Sequence, residues 1–132
     1  LQRYAARKAM RNYPKSTLIL ADAISVVVAW AVLVACLGIL GYGFFCEPRP
    51  DEVWFKGAFA AFLGLGVLHV LLAFLHSCPN CGKHPTIQGF SPLHVDAESI
   101  CGMNGWTSVV LSVIARRKFT CIHCGTKFSV AA

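Results

Sequence analysis

Two long apolar stretches set the pattern of this chain, and the polar positions gather between and around them. Residues 17–45 hold one charge, Asp22, in 29 positions. About 20 apolar residues let a helix cross a bilayer, so this stretch predicts a span with some tilt. Residues 46–53 collect Glu47, Pro48, Arg49, Pro50, Asp51 and Glu52 into a short loop. Trp54 and Phe55 follow where an interfacial aromatic belt belongs. A second span is expected over residues 55–76, with Lys56 near enough to its end to snorkel and His69 as its other polar position. Small-x-x-x-small steps at Ser25 and Ala29, Ala31 and Ala35, Gly57 and Ala61, and Ala60 and Gly64 predict close contact between the two helices.

The flanks have patterns of their own. In residues 1–13, Arg3, Arg7 and Arg11 recur every fourth position, and Leu1, Tyr4, Ala5, Ala9 and Tyr13 fall on another face. This predicts a basic amphipathic helix over 1–14, stopped by Pro14. Beside a span it reads as an interfacial helix, with Arg3, Arg7, Arg11 and Lys15 on anionic lipid headgroups. A solvated tail is the plainer alternative. Toward the other end, Trp106, Val109, Val110, Val113 and Ile114 form the stripe of an amphipathic helix. Asn104 is its candidate cap, and the β-branched content leaves a strand as the rival.

Charge adds orientation. Five cations precede the first span (Arg3, Arg7, Lys8, Arg11 and Lys15), and Lys83, Arg116, Arg117, Lys118 and Lys127 follow the second. The positive-inside rule then places both termini on the cytoplasmic side and the acidic loop outside. The composition agrees with a bilayer: 132 residues, 56% hydrophobic and only 14% charged, with net charge +6. Residue 1 is Leu, so the sequence is expected to be a portion of a longer chain.

Seven cysteines, an odd number that includes two C-x-x-C pairs, argue for metal ligation in a reducing compartment over a disulfide framework. The pairs are Cys78-Pro-Asn-Cys81-Gly82-Lys83 and Cys121-Ile-His-Cys124-Gly125-Thr126-Lys127. Two residues between cysteines let both sulfurs of a tight turn reach one ion, and the glycine relieves the backbone where it turns. Together with Phe128, these motifs resemble the zinc-ribbon group over residues 78–130. The resemblance implies two zinc knuckles on short antiparallel hairpins, with strands over 118–120 and 127–130. The 39 residues between Cys81 and Cys121 exceed the gap of a compact ribbon and leave room for an inserted element. The segment also looks partly like a rubredoxin, which holds iron; zinc is preferred, because closed four-cysteine sites are most often structural zinc. His123 reads as a surface residue, Cys36 and Cys46 as small apolar fillers, and Cys101 as a spare fifth contact.

The expected fold is therefore a membrane α-helical hairpin of two transmembrane helices (15–77) followed by a small C-terminal zinc-ribbon β domain (78–132) with an inserted helix or strand. Within the spans, Asp22 and His69 lie about 7 and 10 Å from the cytoplasmic side and are expected to pair as interhelical glue. The sharper alternative makes His69 an axial ligand of a haem or chlorophyll-type ring.

No nucleophile sits with a base and no glycine loop cradles a phosphate, so no enzyme is expected. The leading expectation is an accessory or assembly subunit of a larger membrane complex, presenting the ribbon to partner subunits. Electron transfer, with iron at the four cysteines or a ring at His69, comes second. A membrane-tethered nucleic-acid binder ranks last, because the ribbon's cations already satisfy the positive-inside rule.

Overall fold

The computed structural model describes residues 10–46 and 51–131. Its elements are β1 (Arg11–Asn12), α1 (Ser16–Phe45), α2 (Glu52–Leu75), α3 (Trp106–Arg116), β2 (Lys118–Thr120) and β3 (Lys127–Ser129). They fall into two compact units. The first joins the residues up to Ile24 with those from Leu71 onward, and the second is Ser25–Val70.

The second unit holds the greater part of α1 and α2. At 1.5 Å per residue the two helices are about 45 and 36 Å long, and both are long and apolar enough to cross a membrane. A soluble core helix would be mostly buried, yet only 28% and 6% of their apolar stretches are. The covered positions of α1 include Val26, Ala29, Leu33 and Cys36; those of α2 include Phe55, Ala58, Phe62, Leu65 and His69. Both series alternate steps of three and four, the 3.5-residue period of a helix paired along a seam. The small-residue steps fare differently. Ser25 and Ala29 are buried, but Ala31, Ala35, Gly57, Ala60, Ala61 and Gly64 are exposed. A Cβ at Gly57 or Gly64 would meet nothing within 4 Å. Val26, Leu33, Phe55, Phe62 and Leu65 share the covered stripes with Ala29, Cys36, Ala58 and His69, and the predicted glycine steps are not among them.

The first unit is built on a three-stranded sheet in the order β1-β3-β2. β2 and β3 are antiparallel, with Phe119 opposite Phe128; β1 runs parallel to β3, with Arg11 opposite Phe128 and Asn12 opposite Ser129. Tyr13 N–H donates to the Ser129 carbonyl at 2.9 Å and continues that pairing. Its ring packs edge-on against Phe119 and Phe128, at centroid distances of 5.2 and 5.5 Å. These three aromatics, Ile122, and Val109, Val110 and Val113 of α3 are the buried core.

Three expectations change here. Arg11 and Asn12 are strand, not the last turn of an amphipathic helix: β3 offers them a ladder, which an isolated basic helix lacks. The rest of that expected helix, with Arg3 and Arg7, lies outside the described residues. The segment 106–116 is a helix, but Asn104 does not cap it. Gly105 does, at φ 73° and without a side-chain cap, and Ser108 Oγ donates back to its carbonyl at 2.7 Å. The second span begins at Glu52 and ends at Leu75, leaving His76 outside the helix.

Candidate metal centre

The two C-x-x-C-G turns have the same backbone. In the first, Cys78 N–H donates to the Lys83 carbonyl and Gly82 N–H to the Cys78 carbonyl, each at 2.8 Å. In the second, Cys121 N–H donates to the Thr126 carbonyl and Gly125 N–H to the Cys121 carbonyl, each at 2.9 Å. Gly82 and Gly125 take φ 72° and 68°, the left-handed region that lets each turn reverse without a Cβ clash. β2 and β3 lead into and out of the second turn, as the ribbon resemblance implies.

These turns bring Cys78, Cys81, Cys121 and Cys124 together, with all four sulfurs within 4.8 Å of one another. The cross-turn separations Cys78–Cys124 and Cys81–Cys121 are 3.8 and 3.9 Å. A tetrahedral ion with sulfurs about 2.3 Å away needs a sulfur–sulfur edge of about 3.8 Å. The donor set and its spacing therefore fit a closed four-thiolate ion. Cys101 is exposed at the tip of a two-residue turn between Ile100 and Met103 and is not in the group.

The surroundings favour thiolate at one of the four sulfurs. A hydrogen bond from Cys121, with help from the backbone amides of Asn80 and Cys81, draws the Cys78 thiol down to about 5 against its burial. Cys121, the donor in that pair and itself buried, is pushed up, and burial raises Cys81. The amides of Lys83 and His123 point at Cys81 and Cys121 in the same manner. A side-chain clamp joins the two turns: Asn80 Nδ2 donates to Thr126 Oγ1 at 3.0 Å, and Cys124 Sγ lies 3.3 Å from the same oxygen.

Outside the sulfurs, three histidines connect the centre to the helix ends. His123, expected at the surface, is half-buried because its Nε2 donates to the carbonyls of His84 (3.2 Å) and Ile87 (3.0 Å). His84 Nδ1 donates to the His76 carbonyl at 2.8 Å. His76 Nε2 donates to Asp22 Oδ2 at 3.0 Å, with both side chains wholly buried. Tyr13 completes the group by donating its hydroxyl to the Ser77 carbonyl at 3.0 Å. Burial holds the Tyr13 phenol well above its usual range.

Asp22 is the ionisable residue expected to matter in the first span, with His69 as its partner. Within the first unit Asp22 meets buried His76, which in the sequence only marks the end of the second span; this contact does not bear on the expected pairing with His69. Lys15, expected at lipid headgroups, places Nζ 2.7 Å from the Leu75 carbonyl and caps the C-terminus of α2. Arg11 is exposed in β1. Asn80, Thr126, His76 and His84 carry no spacing signal; only their position within or beside the C-x-x-C turns marks them. The sequence matches no protein-family model, and neither the curated proteins nor the solved structures yield a match to this chain.

Proposed function

We propose that this chain is a non-enzymatic accessory or assembly subunit of a larger membrane complex. In this reading α1 and α2 cross the bilayer as a hairpin with both termini on the cytoplasmic side. Cys78, Cys81, Cys121 and Cys124 hold a structural zinc, and the ribbon presents a basic surface to a neighbouring subunit. The observation that carries the reading is the joining, in one compact unit, of a four-sulfur centre and the ends of two long helices. Along those helices apolar side chains such as Val34 (66%), Leu37 (59%), Val67 (61%) and Leu71 (59%) remain exposed. Lipid or partner helices must cover such faces. Zinc bound by four thiolates has no open position and no redox chemistry, so it serves to fix shape. The cations of the surface are Lys118 and Lys127 on adjacent strands and Lys83 beside the first turn, all exposed.

Elemental analysis with a visible spectrum, on the detergent-purified chain and on its native complex, tests this. One zinc per chain, no visible band and co-purifying membrane subunits are expected. Iron in the four-cysteine site, or a haem or chlorophyll band lost on changing His69, would make the chain an electron-transfer or pigment-binding subunit instead.

A further inference from the structure

We propose that residues 89–92 dip Phe90 into the headgroup–acyl boundary of the bilayer beside the end of α2, with Lys83 at the level of the phosphates. This rests on the reading of α1 and α2 as membrane spans.

Phe90 is fully exposed at the tip of the loop, directly after Gly89 at φ 59°. Removing a phenyl side chain from water is worth about 2–3 kcal/mol, but a single exposed phenylalanine on a soluble surface would need no explanation. Its setting supplies one. The stem of the loop is held in place: Pro85 and Thr86 are buried, and His123 donates to the carbonyls of His84 and Ile87. Lys83 Nζ reaches Ser91 Oγ at 3.4 Å, on the far side of the tip. A fixed stem presents its tip without further ordering cost.

The same stem abuts the last turn of α2. The His84 ring meets Phe74 edge-on at a centroid distance of 5.2 Å, and Phe74 is itself 63% exposed. Phe90 is six positions after His84, which at up to about 3.5 Å each holds the tip within about 21 Å of that contact. Charge points to the same occupant. From Val53 to Val95 the chain has no acidic residue, while Lys83 stands beside the loop and Lys15 caps α2 at Leu75. An apolar tip with Lys83 beside it suits a phosphate-bearing interface, where an aromatic ring rests at headgroup depth.

Photo-crosslinking in native membranes tests this, with p-benzoylphenylalanine introduced separately at Phe90 and at Leu68 of α2 and the adducts identified by mass. Phospholipid adducts at both positions are expected. Lipid at 68 with none at 90 overturns the proposal and leaves the membrane hairpin standing. A protein adduct at 90 overturns it in favour of a partner subunit on the loop. No lipid at 68 overturns the membrane reading itself, and the loop contact with it.

Discussion

His76 Nε2 lies 3.0 Å from Asp22 Oδ2, and neither side chain is exposed. The two residues are 54 positions apart; Asp22 stands in the second turn of α1, and His76 directly follows α2. The bond therefore ties the start of one helix to the end of the other, two residues before the first metal cysteine. Through the His76 carbonyl the link continues to His84, and through the His84 carbonyl to His123 in the second metal turn. The ribbon is thus built into the helix ends and is not suspended from them by a linker.

If the buried carboxylate must be matched, the two halves of this pair differ in cost. His76→Ala takes one charge-assisted hydrogen bond from buried Asp22 and is expected to destabilise the metal-loaded protein by roughly 2–3 kcal/mol. Asp22→Asn keeps a polar partner for His76 and is expected to cost only about 1–2 kcal/mol. Thermal unfolding in detergent compares them. Equal losses would show that the pair contributes packing and nothing electrostatic.

The parts of the fold legible in the sequence are those written locally. The apolar stretches give α1 and α2, two C-x-x-C-G turns give the metal ligands, and the stripe at Val109, Val110 and Val113 gives an apolar face that suits a helix or a strand. What is not legible depends on distant partners. β1 is two residues long and exists because β3, more than 110 positions away, offers it a ladder; Arg11 alone reads as one turn of a basic helix. His84 and His123 donate to backbone carbonyls, and carbonyls leave no trace in residue type. Asp22 is conspicuous as an acid among apolar residues. Its contact with His76 is not, because His76 falls outside the helix and so outside any helical periodicity.

Metal loss should reach the other end of the chain. Binding and folding of a metal-stapled module are one equilibrium, so Cys124→Ser or chelation should release the ribbon. Because β1 and Tyr13 belong to its sheet, trypsin is then expected to cut at Arg11 and Lys15 as well as at Arg116 and Arg117. In the metal-loaded protein Arg11 and Lys15 should resist. Cleavage confined to the region after His76 would show that β1 holds without the metal.

The two turn glycines are not equivalent. Both have positive φ, where a β-carbon costs about 1–2 kcal/mol. At Gly82 an added Cβ meets nothing within 4 Å, whereas at Gly125 it runs into the His94 imidazole. Gly82→Ala should therefore weaken metal retention modestly, about 10-fold for a 1.4 kcal/mol strain. Gly125→Ala should weaken it further, because His94 must move, and its backbone N–H is committed to the Ile122 carbonyl at 2.8 Å. Competition with a chromophoric chelator ranks the two; the reverse order would remove His94 from the support of the second turn.

Tyr13 offers a test by pH. Its hydroxyl donates to the Ser77 carbonyl while its ring is held between Phe119 and Phe128, and burial raises its pKa above the usual value of 10.0. A group whose folded pKa is raised contributes stability that is fully present below its unfolded pKa. That stability is lost as pH climbs from there toward the folded value. At neutral pH, Tyr13→Phe should cost about 1 kcal/mol, the value of one neutral hydrogen bond, since the ring contacts remain. Above pH 10 the wild-type protein should lose stability faster than the variant, by about 1.4 kcal/mol for each further pH unit. The difference between the two proteins isolates Tyr13 from the lysines, which titrate in both. Paired denaturant unfolding at pH 7, 10 and 11 should show the wild-type advantage shrinking and then reversing. A constant advantage across that range would mean that the phenol is not sealed from solvent, and that the Tyr13 contact with Ser77 is looser than 3.0 Å implies.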